Sequence, residues 1–482
     1  MDPLKPSPDR LRVVALSLSA FIALTGLAWH QMAILGDGFW TIATGRWLLA
    51  HRALPTSDPF AIASVPGPWT IVSGGACVLF AAIVRILGER GLMVTASLVE
   101  GVAVWLLWSR AARTPFSRIV LLPMALFFVQ VDAQDLSARG QVFGDLGIVL
   151  LFSVLGALRD GARPKLWLAA VPLLVGVWAN LHLSFVSALF LPAACGVLVT
   201  LEPPESRPAV WPFFAASGLA LAGACINPYG PAYLRLALGT AFDPSTQQID
   251  LFRSPDFHDA SWLFAPALAI AVIVARGRDA RDRMRLSEQG FVLLFLLAAC
   301  ASRRFATTLV AAEIAIAGPM LDRWQAVRLA PVVQRATWAV AGLATTAGAL
   351  WLSHGNDPFG DVPVTAAEVA REAQRSRAAA GEAFSNVVEP LHWGGYFAYA
   401  WMGDPRYFID GRDHLRLFGN GAFEDEGTLW RGDAASLEVL DAYEAGVVVW
   451  PRGQALDRLL HADPAWQLVH ADAIAVAYVR RP

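Results

Sequence analysis

Apolar runs of 15 to 23 residues recur along this chain, at 13–35, 92–109, 119–133, 142–158, 166–180, 183–200, 211–226, 261–275, 288–302, 305–320 and 332–352. A hydrocarbon layer about 30 Å thick takes about 20 apolar residues of helix to cross, and backbone polar groups inside it must pair within the segment. The reading is a polytopic α-helical membrane domain of about eleven spans. Composition agrees: apolar residues make up 56% of the 482 and charged residues only 16%, where a soluble domain has about 25%. The net charge of −2 excludes a nucleic-acid partner that would need clustered basic residues. Cys77, Cys195, Cys225 and Cys300 lie within apolar runs without C-x-x-C spacing, so neither a zinc site nor a disulfide framework is legible.

Orientation follows from basic residues. Lys5, Arg10 and Arg12 precede the first run and keep the N-terminus in the cytoplasm. Segment 71–87 decides the side of every later loop. If it lies on the membrane surface, Arg276, Arg278, Arg281, Arg283 and Arg285 fall inside, as the positive-inside bias favours; if it crosses, they fall outside. The surface reading makes 36–91 a large outside loop with two interfacial helices, the first at 41–50 with Trp40 and Trp47 as anchors. It divides the chain into a transmembrane domain at 1–353 and an outside α/β domain at 354–482. In the latter, strands are expected at 382–387, 407–410, 447–450, 467–470 and 474–479, with helices at 365–375 and 436–444.

Polar residues collect at the outside ends of the spans, where a membrane protein keeps them for function. Asp37 stands where the first span ends; it could take a proton from a nucleophile or hold a divalent cation, or simply end a helix. Asp132 and Asp135 form a short acidic pair that could bind metal or only be solvated. Asn180 and His182 in Trp-Ala-Asn-Leu-His need partners or a wet cavity. Arg303 and Arg304 suit a phosphate or snorkel to headgroups. Asn227-Pro-Tyr-Gly230 reads as a turn. Trp393, Tyr396, Asp410 and Arg412 combine aromatic and charged groups at loop positions that could hold a sugar, or form a turn and a capped helix.

These motifs carry a resemblance. Gly36-Asp-Gly-Phe-Trp-Thr-Ile-Ala-Thr-Gly-Arg-Trp, Leu54-Pro-Thr-Ser-Asp-Pro-Phe60 and Pro68-Trp69 resemble the first outside loop of bacterial membrane proteins of the GT-C superfamily glycosyltransferase-like group. Arg139-Gly-Gln141, Trp178 to His182, Asn227 to Gly230, Arg303-Arg304, Trp393-Gly-Gly-Tyr396 and Phe408-Ile-Asp-Gly-Arg412 follow in the same order. The resemblance implies an inverting transferase that moves a sugar from a polyprenyl-phosphate carrier to an envelope glycan, lipid or protein at the periplasmic face of the inner membrane. Asp37 would be catalytic, as general base or as ligand to a divalent cation, Mg or Mn; Arg303, Arg304 and Arg139 would meet the donor phosphate; Trp40, Gln141, Asn180, His182 and Tyr229 would line the substrate. Two departures stand out: relatives carry a His where this chain has Thr41, and a His-Glu-Trp-like cluster where it has Ile71-Val-Ser-Gly-Gly75. They leave open a non-catalytic component that binds a lipid-linked sugar in an export or assembly complex. A transporter is disfavoured, since neither repeated halves nor a mid-span acidic residue stands out.

Overall fold

The computed structural model describes residues 8–64, 69–132, 137–242, 252–278, 285–324, 330–360, 362–412 and 421–481. Asp135, Pro68, Arg281 and Arg283 lie outside them, as does the side chain of Asp132, whose backbone ends a helix. The chain divides into two compact units, each built from separated segments.

The first unit gathers 1–32, 93–136 and 140–356. Five of its described helices are long and apolar enough to cross a membrane: Arg10–Gln31, Gln141–Arg159, Pro164–Leu181, Leu183–Thr200 and Arg303–Arg323. Shorter apolar helices occupy Pro115–Val131, Trp211–Ala224, Phe264–Val274 and Leu286–Ala301. Helix α1 (Pro8–Gln31) stops short of the end of its apolar run, and crosses the helix at Ala330–Ser353 where Gly26 meets Gly348. A β-carbon on Gly26 would come within 2.5 Å of the Gly348 carbonyl oxygen, so glycine here lets two backbones touch, the usual way helices pack in lipid.

The second unit combines 33–92, 137–139 and 357–482. Residues 33–92, which include most of the expected loop 36–91, thus group with 357–482 across the boundary expected at 353. Helix α2 (Gly36–His51) covers the expected 41–50. Helix α3 (Gly74–Ala111) breaks at Gly88, whose φ of 70° and ψ of −178° are non-helical, a conformation open mainly to glycine. The part before the break falls in the second unit and the part from Met93 in the first.

The C-terminal sheet has the order β1 (Asn386–Val388), β2 (Ala445–Pro451), β4 (Ala475–Arg480), β3 (Trp466–Ala471). The β1–β2 pair is parallel, with Val387 opposite Val447, and the other pairs are antiparallel. Strand β2 is a buried run of Val447, Val448, Val449 and Trp450, the pattern of a central strand. The expected strand at 407–410 is instead a pair of single bridges from Tyr407 to Ala61 and Val387. The described helices there include Val364–Ala379 and Ala434–Ala442, near the expected positions, and Leu391–Trp401, where loop is expected.

Candidate functional site

In the second unit, the first turn of α2 presents Asp37 where the exposed amides of a helix start favour negative charge. Its Oδ2 accepts from Arg139 Nη1 at 2.9 Å and its Oδ1 from Trp40 Nε1 at 3.1 Å. Its side chain is 41% exposed and that of Arg139 20%, so the carboxylate is oriented yet open to solvent. Arg139 arrives on a short segment whose Ala138 amide donates to the Ala33 carbonyl at 2.8 Å. Gly38 lets that segment lie against α2, since a β-carbon there would stand 2.9 Å from the Ala138 oxygen. The helix Leu391–Trp401 closes on α2 through another glycine contact: a β-carbon on Gly395 would sit 2.0 Å from the Gly36 oxygen.

Beside this carboxylate lies a buried ion-pair network. Arg412 Nη1 and Nη2 reach the two oxygens of Asp58 at 3.0 and 2.9 Å, and its Nε reaches those of Asp410 at 2.7 and 2.8 Å. The guanidinium carbon sits 4.5 Å from the Trp69 ring centre and 5.2 Å from that of Phe60. The Tyr407 hydroxyl donates to Asp410. Burial works against the charge on Arg412, but Asp410 and Asp58 overcome it and push its pKa well above the usual value. Glu389, also fully buried, accepts from the Phe408 and Ile409 amides, both at 3.0 Å. Burial nevertheless pushes its pKa well above the carboxylate range, against those two bonds.

The structure places the aromatic and charged residues expected at loop positions of the C-terminal domain in and around this network. Asp410 is 0% and Arg412 2% exposed, and their charged groups are spent on each other and on Asp58. Trp393 and Tyr396 are buried too; the Tyr396 ring packs edge-on against Phe39 with centres 5.4 Å apart. Asp58, Tyr407 and Glu389 were missed as site-shaping residues, because their partners lie far away in sequence or are backbone amides.

In the first unit, the turn after Leu181 meets the start of the helix at Gln141–Arg159. A β-carbon on Gly144 would stand 2.7 Å from His182 Nδ1. That nitrogen accepts the Ser184 amide at 3.2 Å and lies 2.7 Å from the Ser184 hydroxyl; as an acceptor it leaves the proton of a neutral ring on Nε2. Gln141 Nε2 approaches both oxygens of Asp145 at 3.4 Å. Asn180 donates to the Gly176 and Ile226 carbonyls at 2.8 and 2.7 Å, tying two helix ends together. Tyr229 sits in the turn that Asn227 builds by accepting its amide at 2.8 Å, and stacks on Tyr233, which stacks on Phe185. Arg303 and Arg304 form a short 3-10 turn over Trp262 and Phe252. The Arg303 Nε is buried without a hydrogen-bond partner among the described residues.

A divalent cation does not fit the donor set shown around Asp37. Both oxygens face N–H donors, one of them cationic, and no group of three His, Cys, Asp or Glu side chains able to hold a metal occurs among the described residues.

No family model matches the sequence, and no curated protein matches it. The fold is similar to that of an oligosaccharyltransferase from Archaeoglobus fulgidus, solved tethered by a disulfide bond to an acceptor peptide containing the NVT sequon. The TM-score is 0.57 at 10% identity, over 92% of this chain and 69% of that one. Identity this low speaks to fold alone: the chain shares the overall architecture of that solved structure.

Proposed function

We propose that the chain is a membrane glycosyltransferase that passes a sugar from a polyprenyl-phosphate carrier to a glycan, lipid or protein acceptor, with inversion, at the periplasmic face of a bacterial inner membrane. The observation that carries this reading is Asp37: an oriented, solvent-open carboxylate on a fold similar to that of an oligosaccharyltransferase. In the proposed step the acceptor heteroatom bonds to the anomeric carbon while its proton passes to Asp37. The bond from that carbon to the carrier phosphate breaks, and the phosphate leaves with the electron pair. Arg303 and Arg304, adjacent guanidiniums of the kind that suits a phosphate, are the groups proposed for that charge. Arg139 and Trp40 hold one oxygen each and fix the orientation of the Asp37 carboxylate. Gln141, His182 and Tyr229 are proposed for the substrate on the family resemblance alone.

The proposed topology keeps about eleven spans, a cytoplasmic N-terminus and a periplasmic C-terminal domain. The break at Gly88 supports it, because the helix before it groups with the C-terminal domain, as a non-crossing interfacial segment would.

A second reading, a non-catalytic component that binds a lipid-linked sugar, draws on the two departures from the family pattern. Thr41 is buried, with its hydroxyl on the Asp37 carbonyl at 2.5 Å, and Ile71 is buried as well; neither offers an acid, a base or a metal ligand.

One experiment separates the readings. A bacterial strain deleted for the chain is complemented with wild type or Asp37→Asn at matched membrane levels, and envelope glycans and lipid-linked sugars are compared by mass spectrometry. Under the transferase reading wild type restores a glycan while the variant leaves the unmodified acceptor accumulating. Equal restoration by both would sink it and favour the binding component.

A further inference from the structure

Three groups of the second unit bound Asp37. Arg139 and Trp40 donate to its oxygens, and the third is the backbone at Gly411, where a β-carbon would lie 3.2 Å from Asp37 Oδ1. That distance is tighter than ordinary contact, so a side chain there would make the carboxylate or the loop give by a few tenths of an ångström. Gly411 stands between Asp410 and Arg412, both buried and both locked. Arg412 grips Asp410 through Nε and Asp58 through the two ends of its fork, and is flanked by Phe60 and Trp69. The loop cannot shift without breaking a bidentate pair inside an apolar shell.

A buried ion pair is weak evidence for stability, since apolar residues of similar volume often do as well. Its distinctive property is direction: a planar fork held at both ends fixes its backbone to within the tolerance of hydrogen bonds. An Asp side chain with two free torsions and an open face has several staggered positions available. We propose that Asp58, Asp410 and Arg412 are positioning residues, an ion-pair lock that seats the Gly411 backbone against Asp37 and fixes the direction in which its carboxylate faces solvent. The proposal deepens the transferase reading and rests on it for the role of Asp37, but the seating itself can be read without turnover.

The test uses the full chain in membranes, with the four native cysteines replaced and Asp37→Cys introduced as a reporter for N-ethylmaleimide. Gly411→Ala and, separately, Arg412→Lys should each change the labelling rate about five-fold or more, because access and surroundings set thiol reactivity. A reporter at Ala50→Cys, at the exposed far end of α2, should stay constant. So should the Asp37→Cys rate in Gly427→Ala, where an added β-carbon meets nothing within 4 Å. Unchanged labelling at position 37 in both lock variants overturns the proposal.

With Asp37 intact, Gly411→Ala should lower kcat for sugar transfer about ten-fold with KM retained, as misplacement of a reacting group does. It should add no further loss in the Asp37→Asn background. Losses that multiply would overturn the positioning role. If Asp37→Asn alone leaves transfer intact, the transferase reading fails, while the labelling result still decides the seating.

Discussion

Removing the guanidinium of Arg412 should destabilise the second unit more than any single surface change. The side chain is 2% exposed and holds four hydrogen bonds of 3.0 Å or less to Asp58 and Asp410. In Arg412→Met both carboxylates stay buried without their cation, which costs about 3–5 kcal/mol. Loss of the ring contacts with Trp69 and Phe60 adds about 1–2 kcal/mol when desolvated. Taken together, a loss of about 4–7 kcal/mol is expected, and at about 2–4 °C per kcal/mol for a unit of this size class the midpoint should fall by at least about 8 °C. The assay is a tryptophan-fluorescence melt of the full chain in detergent at fixed scan rate. Arg412→Lys, which keeps the charge and loses the fork, should fall between. The triple variant Asp58→Asn, Asp410→Asn, Arg412→Met removes all three charges and should recover more than half the loss. A shift under about 2 °C in Arg412→Met, or no recovery in the triple variant, would refute the reasoning that paired burial of charge holds this loop.

Two further outcomes can be read in the same melt. Gly395→Ala drives a β-carbon to 2.0 Å from the Gly36 oxygen, a backbone contact that no rotamer relieves, and should cost about 2–3 kcal/mol. Glu389 has a folded pKa raised by burial; its stabilising contribution is therefore complete below the carboxyl's unfolded pKa and lost as pH rises through the folded one. Wild-type stability should decline across that window while Glu389→Gln stays flatter, so the cost of the substitution should be largest at low pH and shrink as pH rises.

Local pattern and distant pairing were legible to different degrees. The apolar runs at 142–158 and 183–200 match the helices Gln141–Arg159 and Leu183–Thr200 almost residue for residue, because lipid-facing helices are specified by their own composition. The run at 13–35 overshoots: α1 ends at Gln31, and Ala33 turns to bridge with Ser137, a partner no local window contains. The same limit applies to the site. Asp37 stood out by position, but its ion pair with Arg139 spans 102 residues. Asp410 and Arg412 looked like loop residues for a ligand because Asp58, which buries their charges, is 354 residues from Arg412. Gly394 and Gly395 belong to a motif expected at loop positions, whereas they mark where one backbone touches another inside a helix.

The span between Asp58 and Arg412 also sets a schedule. At about 5–20 residues per second of synthesis, the loop that carries Asp58 waits about 20–70 s before the arginine that completes it has been made. Until then Asp58 has no cation from this network, and Phe60 and Trp69 lack the guanidinium they flank in the finished protein. The second unit thus draws on segments from both ends of the chain, and its buried ion-pair network cannot close before residue 412 has been made.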